Sequence, residues 1–140
     1  MNSHAQNPRL ALIRVLGFVM GSAFLLGGIL AFVPGVTKDG MYFGLFMVNT
    51  PHNIMHIVSG TMFYLASAAG PKPARLWFLL FGAFYGALAL MGLFVGDGLI
   101  FGLIMNSPFD SWGHMGLAVI MLSVALFVGK EKSWCQRRPA

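Results

Sequence analysis

Four side chains that commonly bind metal ions recur at one spacing in two separate parts of the chain. His52 and His56 lie four residues apart, and Asp110 and His114 repeat that spacing 58 residues later. Residues four apart lie on the same face of a helix, so each pair would point in one direction. Imidazole and carboxylate groups bind zinc and non-haem metal ions, and histidines on facing helices also hold haem iron. The four residues are therefore candidate ligands of a metal ion or a haem.

The same segments also suit a purely structural role. Polar side chains inside membrane bundles form hydrogen bonds between helices, each contributing on the order of 0.6 kcal/mol. Asn49 and Asn53 stand at the start of an apolar run and suit the cap of a helix, and Ser107 and Asp110 have the same position before a later run. With Asn106 they form a polar motif that would fix how the helices pair. The sequence leaves the metal-binding and the structural interpretations open.

Both pairs belong to a longer segment that occurs twice. Residues 43–60 and 101–118 superpose without a gap, with Phe-Gly-Leu-Phe-Met opening the first copy and Phe-Gly-Leu-Ile-Met opening the second. The chain is therefore predicted to consist of two tandem units, about residues 10–69 and 75–128, divided by a Gly-Pro-Lys-Pro segment. Each unit would contain two spans, so both copies would enter the membrane from the same side, as a parallel repeat.

The elements that position these residues are predicted to be four transmembrane helices. Of the 140 residues, 57% are hydrophobic and 9% are charged, whereas about a quarter are charged in soluble domains. Spanning a membrane takes roughly 20 mostly apolar residues as a helix, and four continuous runs approach or reach that length. The short alternating segments of a membrane barrel fit these runs less well. We expect an all-α membrane protein in which residues 1–140 form a single four-helix domain, with spans near 10–33, 51–69, 76–95 and 110–128.

The distribution of charge predicts the orientation of the chain. Basic residues lie at the amino end (Arg9, Arg14), in the middle loop (Lys72, Arg75) and in the tail, residues 129–140. Cytoplasmic segments carry the excess of Lys and Arg, so both termini are predicted to be cytoplasmic and both copies of the motif to lie at the outer face. The net charge of +5 then reflects topology, and no basic stripe indicates nucleic-acid binding. The expected partners are the lipid bilayer and other membrane proteins or a second copy of the chain.

Several enzyme motifs are missing from the sequence. It contains no Gly-x-x-x-x-Gly-Lys-Ser/Thr loop, no Gly-x-Gly-x-x-Gly before a helix, no serine nucleophile elbow and no Cys-x-x-Cys. Apart from Asp110, no acidic residue falls within or at the edge of a predicted span, which argues against an ion-driven pump with a buried carboxylate relay. The sequence therefore favours a non-enzymatic protein.

The first copy of the motif resembles a known family. Its most specific element is Val-Asn-x-x-His-Asn-x-x-His, which begins at Val48, and Gly-Gly-Ile-Leu-Ala-Phe-Val-Pro-Gly precedes it over residues 27–35. On these segments, residues 12–128 are similar to the bacterial membrane family catalogued as domain of unknown function 4383. The resemblance implies a four-helix integral protein of the bacterial plasma membrane with no assigned biochemical activity.

The second copy departs from the family pattern. The family's second motif typically reads Asn-x-x-Asp-Asn-x-x-His, whereas here three residues separate Asn106 from Asp110, and Ser111 stands in place of the second Asn. Asp110 and His114 keep the family's spacing. A role shared between Asn106 and the family's asparagine is therefore open.

Three functions are compatible with this sequence. The first is a membrane subunit or scaffold whose polar motif fixes helix pairing. The second is a metal- or haem-binding membrane protein that uses His56 and His114, with His52 or Asp110 in support. The third is a small transporter or channel component, which would need a polar stripe through the bundle below the histidines.

Overall fold

A computed structural model describes residues 8–128, and this part of the chain is mostly helical. The predicted basic tail, residues 129–140, lies outside the described residues. In chain order the elements are α1 (Pro8–Leu30), β1 (Thr37–Lys38), β2 (Met41–Tyr42), β3 (Phe46–Met47), α2 (Thr50–Ala69), α3 (Pro71–Val95), β4 (Gly98–Ile100), β5 (Ile104–Asn106) and α4 (Pro108–Ser123), with a π-helical extension over Val124–Val128.

The four apolar runs are helical, but two of their ends differ from the sequence-based bounds. Helix α1 ends at Leu30, a few residues before the predicted end near residue 33, because the chain turns toward Gly35, whose φ is +91°. Helix α3 begins at Pro71 instead of near residue 76. Proline suits the first turn of a helix because its missing N–H would have no partner there. Gly70 is consequently the only residue between α2 and α3.

A short antiparallel sheet joins the two helices of each pair, with three strands in the order β1-β2-β3 in the first half and two strands, β4 and β5, in the second. Strands β2 and β3 form the first hairpin, and β4 and β5 form the second. Tyr42 pairs with Phe46 in the first hairpin, and Ile100 pairs with Ile104 in the second, so the registers coincide after a shift of 58 residues. Phe43 and Phe101 begin the three-residue loops with φ of +50° and +55°. Positive φ is uncommon outside glycine, and its occurrence at both places gives the two hairpins the same turn.

The bundle is built from two closely packed helix pairs. Helix α1 packs mainly on α2, and α3 mainly on α4, with smaller contacts between α2 and α3 and between α1 and α3. A Cβ on Gly60 would lie 2.7 Å from the carbonyl oxygen of Gly21, so these glycines allow the backbones of α1 and α2 to touch. The shared core is mostly aromatic and apolar: Ile13, Phe24, Phe63, Phe78, Tyr85, Ala118, Met121 and Ala125.

At the end of the bundle opposite the hairpins, two arginines form hydrogen bonds between helices. Arg14 Nε donates to the Ser67 carbonyl at 2.8 Å, and Arg75 Nε donates to the Ala125 carbonyl at 3.0 Å. Ser67 and Ala125 are again 58 residues apart. Each bond gives a partner to a carbonyl near a helix end, where carbonyls have no partner in the helix itself.

Within residues 8–128, three helices are long and apolar enough to cross a membrane: α1, α3 and α4 with its extension. Helix α2 has 20 residues, but His52, Asn53 and His56 make it more polar. Large apolar side chains point outward over the bundle, among them Phe94, which is 91% exposed, and Phe127, which is 72% exposed. Such a surface suits lipid better than water. The chain is therefore an all-α membrane protein.

Candidate functional site

Three histidines converge at the end of the bundle that carries the hairpins. His52 and His56 lie on α2, His114 lies on α4, and one ring nitrogen of each is within 4.8 Å of the others. The ring centroids are 5.0, 5.7 and 6.3 Å apart. His52 is 5% exposed and His114 is 8% exposed, so the cluster is shielded from solvent. The structure thus brings together three of the four predicted ligands.

The helix caps fix the positions of these histidines along α2 and α4. Asn49 Oδ1 accepts a hydrogen bond from the His52 N–H at 3.1 Å, and Ser107 Oγ accepts one from the Asp110 N–H at 3.3 Å. These bonds start α2 and α4 at corresponding points, so His56 and His114 each lie about one turn inside. The backbones of α2 and α4 hardly approach each other, and the imidazole rings occupy the space between them.

His52 is held in one orientation by the second hairpin. Its Nδ1 lies 3.1 Å from the Met105 carbonyl oxygen, and its Nε2 lies 3.2 Å from His56 Nε2. A carbonyl can only accept, so His52 Nδ1 carries the proton and donates it. His52 Nε2 therefore presents a lone pair toward the other two rings.

His114 is buried with an unused ring nitrogen. Within the described part of the chain, His114 Nδ1 has no hydrogen-bond partner. Tyr85 packs its ring edgewise against His114, with centroids 5.2 Å apart, and its hydroxyl lies 3.3 Å from Ser59 Oγ. The ring of Phe24 packs against the ring of His56, with centroids 5.3 Å apart. The sequence analysis did not single out Tyr85 or Ser59. Their position as polar residues inside otherwise apolar helical runs was the signal that could have identified them.

Asp110, the fourth predicted ligand, caps α4. Its Oδ2 accepts hydrogen bonds from Ser107 N at 2.9 Å, Ser107 Oγ at 2.6 Å and Met47 N at 2.9 Å. The carboxylate completes a capping box with Ser107. It borders the same cavity as the histidines, but it is not one of the three groups that converge.

Asn49 connects α2 to the second hairpin. Besides capping α2, its Oδ1 accepts from Met105 N at 3.3 Å, and its Nδ2 donates to the Leu103 carbonyl at 2.8 Å. Asn53 is buried, and its N–H donates to the Asn49 carbonyl at 3.0 Å. The cap of α2 therefore belongs to Asn49, while the Asn53 side chain lines the cavity.

Asn106 connects α3 to α4. It is 1% exposed, and its Nδ2 donates to the carbonyls of Gly92 at 3.1 Å and Gly96 at 2.8 Å. Its Oδ1 accepts from Ser111 Oγ at 3.0 Å. Ser107 takes the capping position that Asn49 has in the first half, so Asn106 and Asn49 have different roles.

A cavity of about 280 Å³ adjoins the three histidines. Helix α1 contributes Gly27, the turn after it contributes Ala31, α4 contributes Gly113 and Leu117, and the first hairpin contributes its aromatic side chains. Besides the three histidines, the polar groups that line the cavity are the side chains of Asn53 and Asp110 and the hydroxyl of Tyr42. The site thus combines three imidazoles with a mostly apolar space beside them.

These features define an integral membrane protein of helical type with a buried histidine cluster near one end. The chain belongs to the family described as Domain of unknown function (DUF4383), whose family model matches residues 14–127. Neither the curated proteins nor the solved structures gave a match to the chain. The family has no assigned activity, so the function must be argued from the site.

Proposed function

We propose that this protein binds a transition-metal ion through His52, His56 and His114. The observation that carries the proposal is the convergence of three imidazoles, those of His52 and His114 buried and that of His56 partly buried, with one ring nitrogen of each within 4.8 Å of the others. Imidazole is a preferred ligand of zinc, copper, nickel and iron. In the interior of a membrane protein, ionisable side chains are costly and usually serve a function.

The orientation of His52 supports this role. Histidines that bind metal ions usually donate their other ring N–H to a carbonyl or carboxylate, which fixes the tautomer. His52 Nδ1 makes such a bond to the Met105 carbonyl, and this leaves Nε2 for an ion. The resulting lone pair points into the cluster.

The distances within the cluster also support it. Metal–nitrogen bonds of about 2.0–2.1 Å at tetrahedral angles place two ligand nitrogens about 3.3 Å apart. His52 Nε2 and His56 Nε2 are 3.2 Å apart. A hydrogen bond between these two rings would also account for that distance, but it would not account for the third imidazole, His114, which has a ring nitrogen within 4.8 Å of the other two. An ion ligated by all three histidines accounts for the convergence of the whole set.

His52 and His56 are too close together to be the two axial ligands of a haem. Two nitrogens on opposite sides of a haem iron, each about 2 Å from it, are about 4 Å apart. The rings of His52 and His56 instead stack with centroids 5.0 Å apart and an angle of 26° between their planes, and their Nε2 atoms are 3.2 Å apart. This distance argues against haem ligation by that pair, whereas haem ligation by His56 and His114 would give the purified protein a Soret band.

The interior below the site does not favour a transport path. Phe24, Phe63 and Phe78 fill the bundle there, together with Tyr85 and Met121, and each is at most 3% exposed. Ser59 Oγ, a polar group in that region, donates to the Met55 carbonyl and lies 3.3 Å from the Tyr85 hydroxyl. Farther from the histidines, Ser67 Oγ and Trp77 Nε1 are isolated polar atoms with no partner in residues 8–128. A continuous polar stripe is the feature that a channel or transporter would need.

The proposed arrangement in the membrane has four spans in two parallel repeats. Helix α2, with 20 residues, is long enough to span, and its buried polar residues are His52, Asn53, Ser59 and Ser67. The equal registers of the two hairpins and the paired arginine bonds support the repeat. With both termini in the cytoplasm of a bacterium, the histidines would lie near the outer face of the plasma membrane.

Metal analysis of the purified protein tests the proposal. The full-length chain would be purified in mild detergent, stripped with a chelator, and titrated separately with Zn²⁺, Co²⁺ and Cu⁺. We expect one ion per chain for at least one of these metals. Single replacement of His52, His56 or His114 by alanine should weaken binding at least about 100-fold, because loss of even an outer-shell partner costs about 10–100-fold.

His4→Ala is the matched control, since it removes the one histidine that the proposed site does not include. That variant should bind as the parent does. A parent protein that binds none of the three ions, while remaining folded and monodisperse, would refute metal binding. The histidines would then serve as links between helices, which is the scaffold function.

A further inference from the structure

The cavity beside the histidines exists because Gly27 leaves space open on α1. A Cβ built on Gly27 would meet only His56 Nδ1, at 3.7 Å, which is an ordinary contact. Any larger side chain at this position would extend into the cavity that Gly27 lines. The glycine thus keeps the space next to His56 free.

The corresponding region of the second half is filled. At the hairpin end of α3, a Cβ on Gly92 would collide with the side chains of Ser111 and Asn106. Asn106 fills this space and stands 58 residues after Val48, which lines the cavity in the first half. The cavity is therefore not an automatic result of the fold, since the same region of the second half is packed with bonded side chains.

We propose that this cavity is a chamber for a small uncharged molecule that binds the metal ion as its fourth ligand. The inference rests on the proposed function, because it needs an ion held by the three histidines. A metal ion with three protein ligands keeps one coordination position open for water or another molecule. His52, His56 and His114 all line the cavity, so a molecule in it would lie beside an ion held by the three histidines.

The walls define the class of molecule. Ala31, Phe46, Val48 and Leu117 give the chamber an apolar lining, which suits a hydrocarbon or aromatic body. The buried Asp110 carboxylate also faces the chamber and disfavours an anion. A molecule with an apolar body and one lone-pair donor atom satisfies both conditions.

The volume sets the size. An apolar cavity of about 150 Å³ holds benzene. The chamber measures about 280 Å³, so it would accept a body of about ten non-hydrogen atoms. A fused two-ring heterocycle is of this size.

The packing of the helices gives the molecule a route from the bilayer. Helix α1 approaches the fourth helix through its extension, Val124–Val128, at the end away from the histidines. At the other end, Gly27 of α1 and Leu117 of α4 both line the chamber, and both are partly exposed. An apolar molecule dissolved in lipid would enter between these two helices.

Benzimidazole binding to the cobalt-loaded protein tests the inference. Benzimidazole is neutral at pH 7.5, carries one lone-pair nitrogen and has about the required size. We expect its addition to change the visible absorption of the bound Co²⁺ saturably, with one molecule per chain. Indane, which is similar in size but has no donor atom, should not produce the new spectrum.

Gly27→Leu should fill the chamber, so the variant should load Co²⁺ like the parent but bind benzimidazole at least about tenfold more weakly. Gly116→Leu is the matched control, because a Cβ at Gly116 meets nothing within 4 Å, and it should behave like the parent. Gly27→Ala, a milder change, should give an intermediate loss if Gly27→Leu does not fold. If benzimidazole did not change the spectrum of the cobalt-loaded parent, or if Gly27→Leu bound benzimidazole as tightly as the parent, the chamber proposal would be wrong. The proposed metal site would not be affected by either result. Failure to load cobalt or any other ion would overturn both.

Discussion

His52 and Asp110 stand 58 residues apart, and each binds the hairpin that belongs to the other half of the chain. His52 Nδ1 donates to the carbonyl of Met105, and Asp110 Oδ2 accepts from the N–H of Met47. Met47 and Met105 are themselves 58 residues apart. The two bonds therefore cross between the halves at matching points, although one uses an imidazole donor and the other a carboxylate acceptor.

Replacement of Asp110 by asparagine distinguishes a cap from a metal ligand. The asparagine oxygen can accept the same bonds from Ser107 and Met47, so we expect a loss of about 1 kcal/mol in unfolding free energy from the weaker, uncharged acceptor. One ion per chain should still bind, with an affinity reduced at most about tenfold because a nearby negative charge is lost. Metal titration of the variant checks this. If Asp110→Asn lost the ion as fully as His56→Ala, the carboxylate would be a ligand.

The metal-free protein should depend more on His52 than on His56. Both alanine variants lose the contact between the two rings, but only His52→Ala also loses the bond to Met105. We expect His52→Ala to be less stable than His56→Ala by about 1 kcal/mol, the usual value of one hydrogen bond. Unfolding in mixed detergent micelles, with chelator present, measures the difference. Equal stabilities would mean that the bond to Met105 contributes nothing.

Asn106 should be the most important of the three asparagines for stability. Asn106→Ala removes bonds to Gly92, Gly96 and Ser111 in a buried position. The Gly92 carbonyl keeps the Gly96 N–H and Ser111 Oγ keeps the Ser107 carbonyl, but the Gly96 carbonyl loses the partner that Asn106 gives it. We expect a loss of about 2–3 kcal/mol. Asn49→Ala, at a more exposed site, should cost about 1 kcal/mol as a lost helix cap. Detergent unfolding of both variants should rank them in this order, and the reverse order would contradict the assignment.

Adjacent glycines on α1 should respond oppositely to alanine. A Cβ on Gly28 would lie 2.8 Å from the Asn53 carbonyl oxygen, so Gly28→Ala must push α1 away from α2. Overpacking of this kind costs about 1–3 kcal/mol. Gly27→Ala meets only an ordinary contact and should be neutral or stabilising, since alanine is favoured in helices by about 1 kcal/mol. Parallel unfolding measurements check the pair, and a large loss for Gly27→Ala would show that its surroundings are closed.

Thiol labelling tests the proposed orientation. In a Cys135→Ser background, Lys38→Cys and Lys72→Cys would each place one thiol at an exposed position, the first in β1 and the second in the first turn of α3. A reagent that cannot cross membranes should label Lys38→Cys in spheroplasts, and it should label Lys72→Cys only after lysis. The opposite pattern would reverse the orientation that the basic residues predict.

The helices and the histidine pairs could be predicted from the sequence, because both follow from regular spacing. Long apolar runs indicate helices, and a spacing of four brings His56 onto the same face as His52. The hairpins could not be predicted in the same way. Their strands are two or three residues long, too short for an alternating pattern, and the positive φ of Phe43 and Phe101 has no residue-type signal.

The role of Asp110 could not be assigned from spacing alone. An acidic residue three positions after Ser107 fits a capping box, and the same residue four positions before His114 fits a ligand pair. Its third partner is the N–H of Met47, 63 residues away, which no local pattern identifies. The sequence also did not show that Ser107, and not Asn106, caps α4 in the way that Asn49 caps α2. Superposing the two copies compares residue types, but it does not identify the hydrogen-bond partners of each side chain.

The crossed bonds also set an order of events during synthesis of the chain. When α2 has left the ribosome, His52 has no Met105 to bind, and His56 has no His114 opposite it. Both partners arrive only after the second hairpin and the first two turns of α4 have been made, so the three-histidine cluster cannot form before then. The proposed ion would thus find its three ligands together only after the start of α4 has been synthesised.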